Sequence, residues 1–305
     1  MATLGRHNLA ESMTKSSPMN GASDPAGLPA RWTRAALLAA RFLFPVTDRS
    51  ACEETGWPMA GRWLLVWGII IGAAYALVFR GAWRWFGEYN RLRLAPVAVL
   101  LALDLGWCGR RLLLGALRVL GNDGHTDEVA PPAPASPQGT LALVLIAIFK
   151  YALLLSLPFG ARLQPADWRD VYLGFFYPEV IYRPLILMPI WGRWAIMLAL
   201  RIGRVAPTGS QRLRLMAGGL SLSAVMLWWL GCSALTMLYC SGAGEHLARG
   251  VFIAVAVFLT CYLVCFALAR RAGGQTEATV GAAGLVGELA FLMFYLPVAR
   301  AIYWY

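Results

Sequence analysis

Four charged residues stand inside long apolar stretches of this 305-residue chain: Asp104, Lys150, Arg193 and Glu288. A charge at the centre of a membrane helix costs about 2.5 to 3.5 kcal/mol on insertion scales, so each needs a reason. Two reasons compete. The four pair with one another or snorkel, or they serve a buried reaction site. In the last stretch Gly281, Gly284 and Glu288 follow i, i+3, i+7 spacing and share one helical face, open to a second helix or a ligand. A different chemistry stands in the polar run Asn122 to Glu128, where Asp123 and Asp127 are four residues apart. If that run is helical, two carboxylates converge, a donor set that suits Mg²⁺. A solvated acidic loop is the alternative.

The elements that carry these residues follow from composition. Hydrophobic residues make up 59% of the chain and charged ones 14%, against roughly half and a quarter in average proteins. About 20 apolar residues are needed to cross a bilayer as a helix. Candidate spans are Trp63 to Phe79, Leu94 to Gly109, Leu141 to Ala161, Leu185 to Leu200, Met216 to Tyr239, Gly250 to Ala269 and Val280 to Val298. None alternates with period two, which disfavours a barrel. The predicted fold is therefore an all-α polytopic integral membrane bundle of about seven transmembrane helices. Residues 34 to 46 add a short N-terminal helix, interfacial or re-entrant. Asp104 and the Arg110, Arg111 pair make the second span ambiguous, either one bent helix or a span followed by an interfacial helix.

Residues 1–33 are expected as a disordered tail and 34–305 as a single membrane domain. The formal charge of +11 is dispersed among short loops and forms no basic stripe, which excludes a nucleic-acid partner. With the N-terminus in the cytoplasm, sixteen Lys and Arg fall on that side and nine on the other, so this orientation in the cell (inner) membrane is predicted. It puts residues 110–139, 201–215 and 270–279 on one side. The six cysteines contain no C-x-x-C pair and read as packing residues.

Residues Gly273 to Ala283, followed by Gly287, Glu288 and Leu289, resemble the C-terminal signature of cobalamin synthase, adenosylcobinamide-GDP ribazoletransferase, which reads approximately G-G-Q-T-G-D-T-L-G-A-A and then E-L. Gly139 to Lys150 resembles the G-x-L-A-L-V-x-x-x-x-x-K span of that family, and Gly192 to Ala195 its G-R-W-A stretch. Asp123 to Asp127 is the counterpart of its D-G-x-A-D motif. Two departures stand out: Ala278 occupies the place of the aspartate in Q-T-G-D-T, with Glu277 one residue earlier, and a Pro/Ala stretch replaces a charged segment after residue 129.

The resemblance implies a transferase that joins adenosylcobinamide-GDP to α-ribazole or its phosphate and releases GMP. It implies Mg²⁺ on Asp123 and Asp127, with Glu277 as a substitute ligand. Lys150, Arg193 and Glu288 are then catalytic, and Gln275 and Thr276 bind substrate. The partners are these substrates and the lipid bilayer, with a homo-oligomer left open. A non-enzymatic membrane subunit or scaffold is the alternative.

Overall fold

The computed structural model describes residues 28–44, 56–88, 94–120, 137–157, 180–240 and 247–303. It is a helical bundle, and among the described residues no strand forms beyond one isolated bridge between Val205 and Gln275. Among the described residues, six helices are long and apolar enough to cross a membrane, and one shorter apolar helix accompanies them. The chain is a polytopic helical membrane protein.

The first helix, α1 (Leu28–Leu43), starts six residues ahead of its expected position. Pro29 fits its first turn, where a missing N–H costs nothing. Its buried side chains are Ala35, Leu38, Ala39, Phe42 and Leu43, one stripe at helical spacing. That stripe lies on α2 (Trp57–Ala82), and Trp67 Nε1 donates to the Ala36 carbonyl at 2.9 Å.

The expected second span does not cross as a single straight helix. Helix α3 (Leu94–Leu103) has 10 residues, about 15 Å of a roughly 30 Å core. It widens into a π-helical turn at Asp104–Cys108, closed by Gly109 N–H on the Asp104 carbonyl at 2.6 Å. Helix α4 (Arg110–Leu120) follows and buries Leu112, Leu113, Gly115 and Ala116. The bend lets Asp104 face the interior while the arginines of α4 stay near the end of the bundle.

Helix α5 (Pro137–Leu155) is peripheral, and α6 (Tyr182–Ile202) is the central post. Of their apolar windows, 17% is buried in α5 and 83% in α6. The exposed Leu141, Leu145 and Ile148 of α5 form a face suited to lipid. The expected span Met216 to Tyr239 is divided between α7 (Gln211–Gly219) and α8 (Leu222–Cys240). Ser221 causes the break by accepting the Ala224 N–H at 3.2 Å, so it caps a new helix rather than continuing the old one. The last two helices are α9 (Leu247–Arg271) and α10 (Glu277–Tyr303), and α10 packs against α6, α4 and α9.

Candidate functional site

All four charges singled out inside apolar stretches meet in the centre of the bundle. Lys150 Nζ donates to Asp104 Oδ2 at 2.6 Å and to Glu288 Oε2 at 2.5 Å. Arg193 donates to the other oxygen of Glu288, and the Tyr75 hydroxyl donates to Asp104 Oδ1. Each of the four charged side chains is at most 4% exposed. Two carboxylates thus neutralise two cations drawn from α5 and α6, which makes burial tolerable only while the set is complete.

Close backbone approach builds this quartet. A Cβ on Gly192 would lie 2.6 Å from Glu288 Cγ and 3.0 Å from the Gly284 carbonyl, so only glycine lets α6 meet α10 here. The glycine face of α10 therefore admits helices rather than a ligand: Gly284 meets Leu112 and Ile196, and Gly281 meets the Arg111 carbonyl.

A second charged group lies at the start of α10. Glu277 is eleven residues before Glu288, three turns and about 16 Å along the same face. Its Oε2 accepts from Arg111 at 2.5 Å, and its Oε1 accepts the Ser210 hydroxyl at 2.8 Å with Arg212 at 3.6 Å. The Arg111 guanidinium also donates to the Phe42 carbonyl and lies over the Phe42 ring, 4.5 Å from its centre. Arg111, Arg212 and Glu277 border a cavity of about 300 Å³ whose charged lining also includes Arg41, Arg110 and Arg118. Residues 110–139, 201–215 and 270–279, expected on one side of the membrane, meet at this one carboxylate.

The turn before α10 shows how the signature residues are used. Gly273 and Gly274 take φ values of 67° and 144°, conformations that side chains rarely adopt. The chain then lies beside residues 204–206, with Gln275 N–H on the Arg204 carbonyl at 2.8 Å and Ala206 N–H on the Gln275 carbonyl at 3.0 Å. Gln275 is fully buried. Its Oε1 accepts from the Thr279 hydroxyl at 2.8 Å, and its Nε2 donates to the Cys265 carbonyl at 3.3 Å. Thr276 and Thr279 cap the helix reciprocally, Thr279 N–H on Thr276 Oγ1 at 3.2 Å and Thr276 N–H on Thr279 Oγ1 at 2.8 Å. Gln275 and Thr276 thus fix the position of Glu277.

Asp123 and Asp127 lie outside the described residues. Among the described residues no group of three or more His, Cys, Asp or Glu converges as a metal site. Glu277 does not fit a divalent cation in this arrangement, because Arg111 and Arg212 present like charge to any metal at its oxygens.

Residues 137–296, just over half of the chain, match the sequence profile of a family described as cobalamin-5-phosphate synthase. The chain belongs to that family. A role in cobalamin synthesis follows. No curated protein and no solved structure matched the chain. The matched region carries Lys150, Arg193, Gln275, Thr276, Glu277 and Glu288, while Asp104 and most of the cavity arginines stand before it. Sequence reasoning missed those arginines as a group. Their one local signal was the seven-residue spacing of Arg111 and Arg118 on the amphipathic α4.

Proposed function

We propose that this chain is a membrane-embedded transferase that joins adenosylcobinamide-GDP to α-ribazole or its phosphate, releasing GMP. The observation that carries the reading is the cation-rich cavity headed by Glu277, because Glu277 and Ala278 of the signature segment of a cobalamin-5-phosphate synthase family member line it. In the reaction a ribazole hydroxyl attacks the phosphorus next to the cobinamide. A new P–O bond forms, the phosphoanhydride bond breaks, GMP leaves with its electron pair, and the hydroxyl proton passes to solvent. Guanidinium groups at the cavity stabilise charge growing on the leaving phosphate. The reading requires that this end of the bundle face the cytoplasm, where soluble nucleotide substrates are found.

In this proposal Lys150, Arg193 and Glu288 act as positioning groups rather than on phosphate, since they neutralise one another out of reach of solvent. Gln275 and Thr276 position Glu277. Mg²⁺ is assigned to Asp123 and Asp127 on the resemblance alone.

Purified protein incubated with adenosylcobinamide-GDP, α-ribazole phosphate and Mg²⁺ is expected to release GMP in step with corrinoid product. Asp123→Ala and Asp127→Ala should each lower that rate at least about a hundredfold, as loss of charge stabilisation in phosphoryl transfer does. Full activity in both variants would remove the metal assignment. No GMP release from well-folded wild-type protein would favour a non-enzymatic subunit, a reading supported by Ala278 at the signature aspartate position.

A further inference from the structure

The cavity at the start of α10 differs from the buried quartet in its charge balance. The quartet sets two carboxylates against two cations, whereas among the described residues that line the cavity Arg110, Arg111, Arg118 and Arg212 stand with Glu277 as their one carboxylate, and Arg41 lies at its edge. Among the described residues, Arg110 and Arg118 have no carboxylate partner. Like charges gathered in one cavity repel, and a multivalent anion relieves that repulsion.

Glu277 already shows how an oxyanion sits there, with one oxygen on Arg111 and the other on Ser210 and Arg212. Arginine favours such planar, two-point recognition of oxyanions. The cations arrive from three directions, Arg41 from α1, Arg111 and Arg118 from α4, and Arg212 from α7. Arg111 and Arg118 share a face of α4 and stand about 10 Å apart along its axis. A single phosphoryl group engages two or three guanidinium groups, so this spread fits two linked phosphoryl groups.

We infer that the cavity is a binding site for the diphosphate of a nucleotide-linked substrate, and that Glu277 is a built-in counter-ion which the diphosphate displaces from Arg111 and Arg212. The identity of the substrate rests on the transferase reading, while the charge class rests on the geometry of the cavity. An anionic lipid headgroup shares the phosphoryl chemistry. The uncharged lining, Phe44, Leu114, Gly115 and Ala278, offers little apolar surface for acyl chains.

The test is titration of inorganic pyrophosphate into the full-length protein in neutral detergent without Mg²⁺, followed by calorimetry. Wild-type protein is expected to bind. Glu277→Gln removes the competing charge and should tighten Kd about tenfold, whereas Arg212→Gln or Arg118→Gln should weaken it about tenfold. Arg212 has 41% of its side chain exposed, so its substitution leaves the fold intact. Absence of wild-type binding, or weaker binding in Glu277→Gln, as for a metal ligand or a purely structural residue, overturns the inference. Blockade by phosphatidylglycerol in mixed micelles, with the same dependence on Arg212 and Glu277, assigns the site to a lipid and also overturns it. Turnover of adenosylcobinamide-GDP without pyrophosphate binding leaves the transferase reading standing and removes this one. The predicted binding pattern without turnover does the reverse.

Discussion

Lys150→Met is expected to abolish most folded protein. It removes the one cation that touches both Asp104 and Glu288, leaving Glu288 with Arg193 and the buried Asp104 carboxylate with no cation, only the Tyr75 hydroxyl. Breaking a buried ion set by deleting one member costs about 3 to 5 kcal/mol, a large part of the roughly 5 to 15 kcal/mol that stabilises most folded proteins. The double variant Lys150→Met, Asp104→Asn restores charge balance, because Glu288 keeps Arg193 and the amide oxygen introduced in place of the carboxylate still accepts from Tyr75. Folded yield by size-exclusion chromatography and resistance to thermal unfolding in detergent are the measurements. A double variant no better than the single one would show that the quartet is not energetically coupled.

Gly192→Ala is expected to destabilise the bundle by about 1 to 3 kcal/mol through overpacking, a large effect for one methyl group. The added carbon would lie 2.6 Å from Glu288 Cγ and 3.0 Å from the Gly284 carbonyl. Neither neighbour yields easily, because Glu288 is held by Lys150 and Arg193 and the carbonyl belongs to the α10 backbone. Thermal unfolding of the variant beside wild type reads the effect. An unchanged midpoint would mean that α6 and α10 separate without cost.

The quartet was partly legible before any coordinates, since charges inside apolar stretches must find partners. What the sequence could not show was which partners, because residues 46 and 138 positions apart meet only once the helices are arranged. The arginine cavity was hidden for a related reason. Arg212 and Arg118 fall in different segments between the expected spans, and each alone looks like a charge that orients a membrane helix. The division of Met216 to Tyr239 was marked in the sequence by Gly218, Gly219 and the capping residue Ser221, but the apolar residues on both sides let the run read as one span. For the second span, the interruption at Asp104 was visible in the sequence, whereas the π-helical turn and the contacts of Asp104 with Lys150 and Tyr75 were not. The signature residues Gln275 and Thr276 were visible as a motif, while their hydrogen bonds to Cys265 and Thr279 were not.

The order in which the quartet residues occur along the chain bears on biogenesis. Synthesis delivers Asp104 first, then Lys150, then Arg193, and Glu288 only with α10. Lys150 has a counter-charge waiting when it enters the bilayer, but Arg193 does not acquire its carboxylate until α10 is inserted. A chain truncated ahead of Glu277 therefore carries two cations against one anion in its interior, and pulse-chase labelling should show its rapid degradation beside a stable full-length chain. The quartet becomes neutral only once α10 is made, so a copy that stops short of it carries its own mark for removal.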